Sequence, residues 1–291
     1  LGGSYAEAMD VNNAGQAVGT TWDADGYSRA FLYSGGAMSD LGTLGGNQSY
    51  AWGINNVGQI VGASYGSSSS FRHAFLYTAG TMVDLGTLGG MTSVGYGLND
   101  AGEVVGWSAL GDGSTRAFLY SGGAMSSLGT LGGNESYARG INNTGQVVGE
   151  SKVTDGTASH AFLYSGGALT DLGTLGGTNS RANGINDAGY VVGEAEVAGG
   201  SHAFLYFEGS MYDLNDLLLP GSGCTMLTAL GINVWGDIAA FGYDSTGNGH
   251  GYLLTRTDVD RSEAVPEPGT LILSGLGLAA LVVYKKRRQT V

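Results

Sequence analysis

"HAFLY" occupies residues 73–77 and recurs at 160–164 and 202–206, with a degenerate copy, "HGYLL", at 250–254. These copies hold every histidine of the chain: His73, His160, His202 and His250. In two further copies the first position is arginine, at Arg29 and Arg116. One slot filled this way points either to a ring of metal-binding imidazoles or to one structural position copied along a repeat. Alternation with a permanent guanidinium, which is no metal ligand, favours the structural position. His160, His202 and His250 stand in consecutive copies, and would meet as a three-imidazole site only if the slot faced a common axis. The expectation is a cationic or hydrogen-bonding side chain at a strand start, paired with a loop carboxylate or a backbone carbonyl.

The aromatic of the slot falls at Phe31, Phe75, Phe118, Phe162, Phe204 and Tyr252. "LGG" begins at 1, 44, 88, 131 and 175, so the chain repeats at intervals of 43 or 44 residues. Each repeat carries four short β-like segments. The first runs into "GIN", the second is of the "QIVG" type (59–62, 103–106, 146–149, 190–193), the third is the HAFLY slot, and the fourth is "AMSDLGTL" or its kin. Between first and second stands Asn-Asn/Asp-x-Gly, as in Asn55-Asn56-Val57-Gly58, a tight hairpin loop whose glycine supplies positive φ. Four hairpin-joined strands per repeat predict an all-β fold, a β-propeller of about six four-stranded blades; a β-solenoid is the alternative, with usually shorter coils. "AFLY" and "VVG" are apolar on both faces, as strands sandwiched between neighbouring blades should be. The sixth repeat is stretched by "LPGSGCT" (219–225).

In repeats one to five a leucine follows the slot aromatic by ten residues: Leu41, Leu85, Leu128, Leu172 and Leu214. The equivalent of the sixth repeat is Ser262, so a fourth strand is missing there. Leu1-Gly2-Gly3 matches Leu44-Gly45-Gly46, read as the tail of such a strand. The expectation is a ring whose closing strand, and a signal peptide, lie upstream of Leu1. In-register recurrence of HAF, LGTLGG and NNxGQxVG over 1–256 resembles the HAF family of extracellular repeats. That resemblance implies export and a repeat architecture, and brings no catalytic residues to carry over.

Glycine is the commonest residue, at 55 of 291, with three prolines; apolar residues make up 42% and charged ones only 13%. Such a chain can bury a core. Net charge is −13, yet Lys285, Lys286, Arg287 and Arg288 form one basic cluster, which leaves eight basic against 25 acidic residues elsewhere. A body this acidic repels phosphate backbones, so nucleic acid is excluded as a partner. The single cysteine, Cys224, allows no internal disulfide and is expected to be a small buried or loop residue.

After 256 the repeat stops. Residues 257–264 read as a linker, followed by Val265-Pro266-Glu267-Pro268, an apolar run at 271–284 and the basic cluster. The run, at about 21 Å as a helix, is short for a bilayer core. The basic residues that follow it favour a short transmembrane helix over 271–284 with its C-terminal side cytoplasmic. The order of Pro266-Glu267-Pro268, apolar run and basic patch over 265–288 resembles a PEP-CTERM sorting signal. The resemblance implies a partner, an exosortase-type membrane transpeptidase of Gram-negative bacteria that cuts near Pro266-Glu267-Pro268. It also implies association with exopolysaccharide and biofilm matrices, and a final location at the cell surface or outside it. A plain stop-transfer anchor is the alternative.

No G-x-S-x-G, H-E-x-x-H or phosphate-binding glycine loop ending in lysine is present, and the body's one lysine is Lys152. Asp23, Asp25, Asp112, Asp155 and Asp244 sit in loops near glycines. "DADG" (23–26) has neither the spacing nor the terminal Glu of a calcium loop, so turn chemistry is expected and no metal or cofactor. Trp22, Tyr27, Tyr65 and Trp107 lie near variable loops and either cap strand ends or stack on a sugar. The resulting expectation is a non-catalytic binding or structural module with a polysaccharide or surface-protein ligand. The rival is a secreted propeller glycosidase or lyase, which would need two carboxylates converging in one pocket.

Overall fold

The computed structural model describes residues 1–67, 70–154 and 156–256, and the backbone of 281–284. The described elements are strands, apart from one 3₁₀ turn at Leu214–Leu217. The chain divides into two units, Leu1–Thr157 with Leu163–Thr170, and Ala158–Phe162 with Asp171 onward.

In the first unit the first repeat gives β1 (Gly2–Val11), β2 (Ala17–Asp23), β3 (Ser28–Ser34) and β4 (Ala37–Asp40). The second gives β5 (Gly45–Ile54), β6 (Ile60–Gly66), β7 (Arg72–Thr78) and β8 (Thr81–Asp84). The third gives β9 (Ser93–Leu98), β10 (Val104–Ala109), β11 (Thr115–Ser121) and β12 (Ala124–Gly129). The fourth opens with β13 (Gly132–Ile141) and β14 (Val147–Val153); its β15 (Ser159–Ser165) and β16 (Ala168–Asp171) contribute residues to both units. The second unit continues with β17 (Ser180–Ile185), β18 (Val191–Val197), β19 (Gly200–Phe207) and β20 (Ser210–Asp213). Its last sheet holds β21 (Cys224–Ile232), β22 (Ile238–Asp244), β23 (Gly249–Arg256) and β24 (Leu281–Tyr284).

Each repeat is an antiparallel meander in chain order, as a blade requires. The hairpin between first and second strands closes as the Asn-x-x-Gly pattern predicts: Asn55 N–H donates to the Gln59 carbonyl at 3.0 Å, and Gly58 adopts φ +81°. The second strand needs its glycine for a different reason. A Cβ on Gly62 would stand 1.9 Å from the Tyr50 carbonyl oxygen and 2.7 Å from the Phe75 ring. The bare backbone lets that ring close over the sheet, and Phe75, Phe118, Phe162 and Phe204 are fully buried. Each such burial stabilises the fold by roughly 1.5–3 kcal/mol.

Within the first unit, successive repeats share cores. Val18, Ala30 and Leu41 pack with Ala51, Ile60 and Phe75 of the next repeat, and Val61, Ala74 and Leu85 pack with Val104 and Phe118 of the one after. Two polar ladders run beside these cores. Asn12 Nδ2 donates to the Asn55 carbonyl (3.0 Å), Asn55 Nδ2 to that of Asn99 (2.9 Å), and Asn99 Nδ2 to that of Asn142 (3.2 Å). Ser49 and Ser93, both buried, accept the Ala30 and Ala74 N–H of the preceding third strand and donate to the Gly42 and Gly86 carbonyls. Such satisfied buried groups make each repeat depend on the next.

Three expectations change. The blade count differs from six separate blades: four sheets are four-stranded, and the third and fourth repeats merge into one eight-stranded sheet. The cause is a parallel bridge, Thr115 to Glu135, which joins β11 to β13. Second, "LGG" is not the tail of a fourth strand. Gly45 and Gly132 begin β5 and β13, and Gly2 begins β1, so the fourth strands end earlier, at Asp40 or Asp84. Third, the transmembrane helix expected over 271–284 does not extend through 281–284. That stretch is β24, antiparallel to β23 from Leu253↔Tyr284 to Arg256↔Leu281, in the fourth-strand place that the sixth repeat leaves open. Leu-Val-Val-Tyr favours a strand where an edge offers hydrogen bonds. Residues 271–280 lie outside the described residues, among which no helix is long and apolar enough to cross a membrane.

Candidate functional site

The histidine slot is a latch between third and fourth strands. His73 Nδ1 lies 2.9 Å from Asp84 Oδ2, His160 Nδ1 2.8 Å from Asp171 Oδ2, and His202 Nδ1 2.6 Å from Asp213 Oδ2. In each pair the aspartate follows by eleven residues and ends the fourth strand. Its other oxygen takes the N–H of the connector: Gly86 or Gly173 at 2.8 Å, Asn215 at 2.9 Å. The arginine copies part from this scheme. Eleven residues after Arg116 stands Ser127, and Arg116 instead donates to the carbonyls of Thr115 and Asn134. Arg29 turns to Asp23, at 2.8 Å from its Nε. His250 likewise uses a loop carboxylate, with Nε2 3.0 Å from Asp244 Oδ2. The loop carboxylate expected from the sequence is thus present for Arg29 and His250, and the strand-ending aspartate was the unread partner. "HAF" with Asp eleven residues on, and Ser in the Arg116 repeat, was the signal available for it.

The loop aspartates close their own turns. Asp23 Oδ1 accepts the N–H of Asp25 and Tyr27 (3.0 and 2.9 Å), and Asp112 Oδ1 accepts both the N–H and the hydroxyl of Ser114. The Arg29 side chain holds the Asp23 carboxyl below its ordinary range, and the Ser114 hydroxyl does the same for Asp112. Asp155 lies outside the described residues. Among the described residues, no group of three or more His, Cys, Asp or Glu side chains is placed to hold a metal.

The loop aromatics do not form one cluster. Trp22, exposed, packs on Tyr5 with ring centres 5.2 Å apart; Tyr27 is exposed and Tyr65 half-buried. Trp107 belongs to a row the sequence reading missed. Tyr50 stacks on Trp52 (5.8 Å), Trp52 meets Tyr96 edge-on (5.5 Å), and Trp107 donates its Nε1–H to the Tyr96 hydroxyl (3.3 Å). Trp107 also meets Tyr137 edge-on, at 6.0 Å. Arg139 lies over Tyr96 and pairs with Glu150 at 2.6 Å. The row crosses three consecutive repeats on first and second strands, half-buried throughout. Its signal was the alternation Tyr50-Ala51-Trp52-Gly53, large residues on one face and small on the other.

The sorting-signal residues Val265, Pro266, Glu267, Pro268, Lys285, Lys286, Arg287 and Arg288 lie outside the described residues. Residues 264–288 match the PEP-CTERM protein-sorting motif. The chain therefore carries a C-terminal sorting signal of that type. No curated protein sequence matches the chain. Among solved structures it is similar to TolB from Acinetobacter baumannii, with a TM-score of 0.52 and 11% identity over 82% of this chain and 63% of that one. It is also similar to the acylaminoacyl peptidase of Pyrococcus horikoshii, with a TM-score of 0.53 and 12% identity over 85% of this chain and 43% of that one. The chain thus spans less than two thirds of either protein. At this identity the likeness is one of fold alone.

Proposed function

We propose that this chain is an exported, exosortase-processed repeat module of the HAF type that acts at the cell surface or in the extracellular matrix without catalysis. The observation that carries the reading is the PEP-CTERM match at 264–288, which begins eight residues after the last repeat strand, β23, ends at Arg256. In this account residues 1–256 are the repeat body, 257–264 a linker, and 265–291 the sorting segment. The body is a propeller-like array of four-stranded antiparallel repeats. Before cleavage the apolar run gives up the β23–β24 pairing and is held in the inner membrane with Lys285–Arg288 on the cytoplasmic side.

Two features of the body support a binding and structural role. Each histidine of the repeat slot is held by an aspartate, and the loop carboxylates Asp23, Asp112 and Asp244 are engaged in their own turns. Half-buried aromatics with polar neighbours, as in the Tyr50–Tyr137 row, are suited to the faces of a hydroxylated ligand. Replacing Glu267 and Pro268 together by alanine tests the sorting part in a Gram-negative host with an exosortase. The full-length form should accumulate in the inner membrane fraction. A variant matured and located as the parent is would reduce the tail to a plain anchor.

A further inference from the structure

The sixth repeat is the one that departs from the pattern, and its departures converge on one place. The insertion at 219–223 and the β22–β23 hairpin enclose a cleft of about 620 Å³, a size typical of small-molecule sites. Leu219 and Pro220 give it apolar wall, Ser222, Ser245 and Thr246 bring hydroxyls, and Cys224, Asp244 and Tyr252 also line it. A Cβ on Gly223 would stand 3.8 Å from that of Ser245, so the insertion and the hairpin are close neighbours.

Tyr252 stands where five other repeats have phenylalanine. It is 5% exposed, and its hydroxyl has no hydrogen-bond partner among the described residues. A buried hydroxyl left unpaired costs about 1–3 kcal/mol, a cost phenylalanine would avoid. Burial, with Cys224 and Asp244 nearby, pushes the phenol above its ordinary pKa, so at neutral pH it is a proton donor.

The single formal charge in the lining is Asp244, and it is occupied. Its Oδ1 accepts the N–H of Thr246 and Asn248 and the Thr246 hydroxyl, and its Oδ2 faces His250. Nothing in the lining attracts an anion, and the carboxylate is already satisfied against a cation. Hydroxyls and an apolar wall remain, which is the chemistry of a sugar ring with its polar edge and its C–H face. We propose that this cleft binds a neutral saccharide, with the Tyr252 hydroxyl as a donor to it. The proposal deepens the reading of the chain as a binding module and rests on it.

Cys224 provides the readout, because it is the one cysteine of the chain and lines the cleft. The full 291-residue chain, in detergent, is labelled with a maleimide in the presence of maltotriose, cellotriose or mannotriose, with trigalacturonic acid as the anionic counterpart. At least one neutral trisaccharide should slow Cys224 labelling at least threefold at saturation, and trigalacturonic acid should not. Tyr252→Phe, a residue the other repeats accept, should weaken that protection about tenfold in sugar concentration. Ser245→Trp, which fills the cleft from an exposed turn, should abolish it. Binding by calorimetry that leaves Cys224 unprotected, or that both variants retain, would overturn the cleft while leaving the binding reading standing. No binding to these sugars or to the producing cell's own exopolysaccharide would overturn both.

Discussion

Ser93 and Ala74 belong to different repeats, yet the Ala74 N–H donates to the Ser93 hydroxyl at 2.8 Å while that hydroxyl donates to the Gly86 carbonyl at 2.5 Å. The same arrangement recurs at Ser49, Ser136 and Ser180. Ser93 is fully buried, so Ser93→Ala strands an N–H and a carbonyl at once. The expected cost is about 1–3 kcal/mol, read as a lower urea midpoint with an unchanged slope.

The asparagine ladder should be as sensitive. Asn55 Oδ1 accepts the Gln59 N–H at 2.8 Å while Nδ2 donates to the Asn99 carbonyl and to Gln59 Oε1. Asn55→Asp keeps the first bond, turns both donors into acceptors, and adds a charge at a buried position. A loss of about 2 kcal/mol or more is expected by urea denaturation. Hydrogen exchange should show the loss in the second and third repeats first.

Gly62→Ala places a methyl group on the Tyr50 carbonyl oxygen, where the backbone cannot yield cheaply. We expect a cost of about 3 kcal/mol or more. Gly35→Asn is the control. Its φ is +59°, nothing lies within 4 Å of a Cβ there, and asparagine tolerates that region, so the cost should be about 1 kcal/mol or less.

The histidine latch makes two different predictions. His160→Arg should change stability by no more than about 0.5 kcal/mol, since two repeats already carry arginine. Asp171→Ala removes the partner of His160 and the acceptor of the Gly173 N–H together, and should cost about 1–2 kcal/mol. Urea midpoints of the two variants, measured side by side, decide it.

Asp23 sets a direction with pH. Its carboxyl is held below the ordinary range by Arg29 first and then by the Tyr27 N–H. A depressed carboxylate contributes its stability above the unfolded value, about 3.9 for Asp, and loses it as pH falls through the lower folded value. The stability difference between the parent and Asp23→Asn should therefore shrink between pH 7 and pH 2.5. A difference that grows toward acid would contradict this assignment.

The repeat strands were legible because two periods coincide in them. "AFLY" and "VVG" are apolar on both faces, and Asn-x-x-Gly marks the turn with the one residue that accepts φ near +80°. "LGTLGG" was misread for a physical reason. Gly45 and Gly46 have no side chain to show the alternation of a strand, yet a Cβ on Gly46 would meet the Tyr65 carbonyl at 2.6 Å, as befits β5 against β6. The aromatic row was hidden because it draws on two repeat positions, Tyr50 with Tyr137 and Trp52 with Tyr96, and only contact across repeats joins them. The cleft was equally hidden, since a tyrosine for phenylalanine gains meaning only once its hydroxyl is seen buried.

The central claim, export with C-terminal processing, is tested most directly by the intact mass of the protein recovered from the surface of a Gram-negative host that carries an exosortase. The account predicts a species that ends near Pro266-Glu267-Pro268 and lacks the basic cluster 285–288, with the longer form replacing it when the exosortase is deleted. Surface protein that retains residues 285–288 in the presence of the enzyme would contradict it.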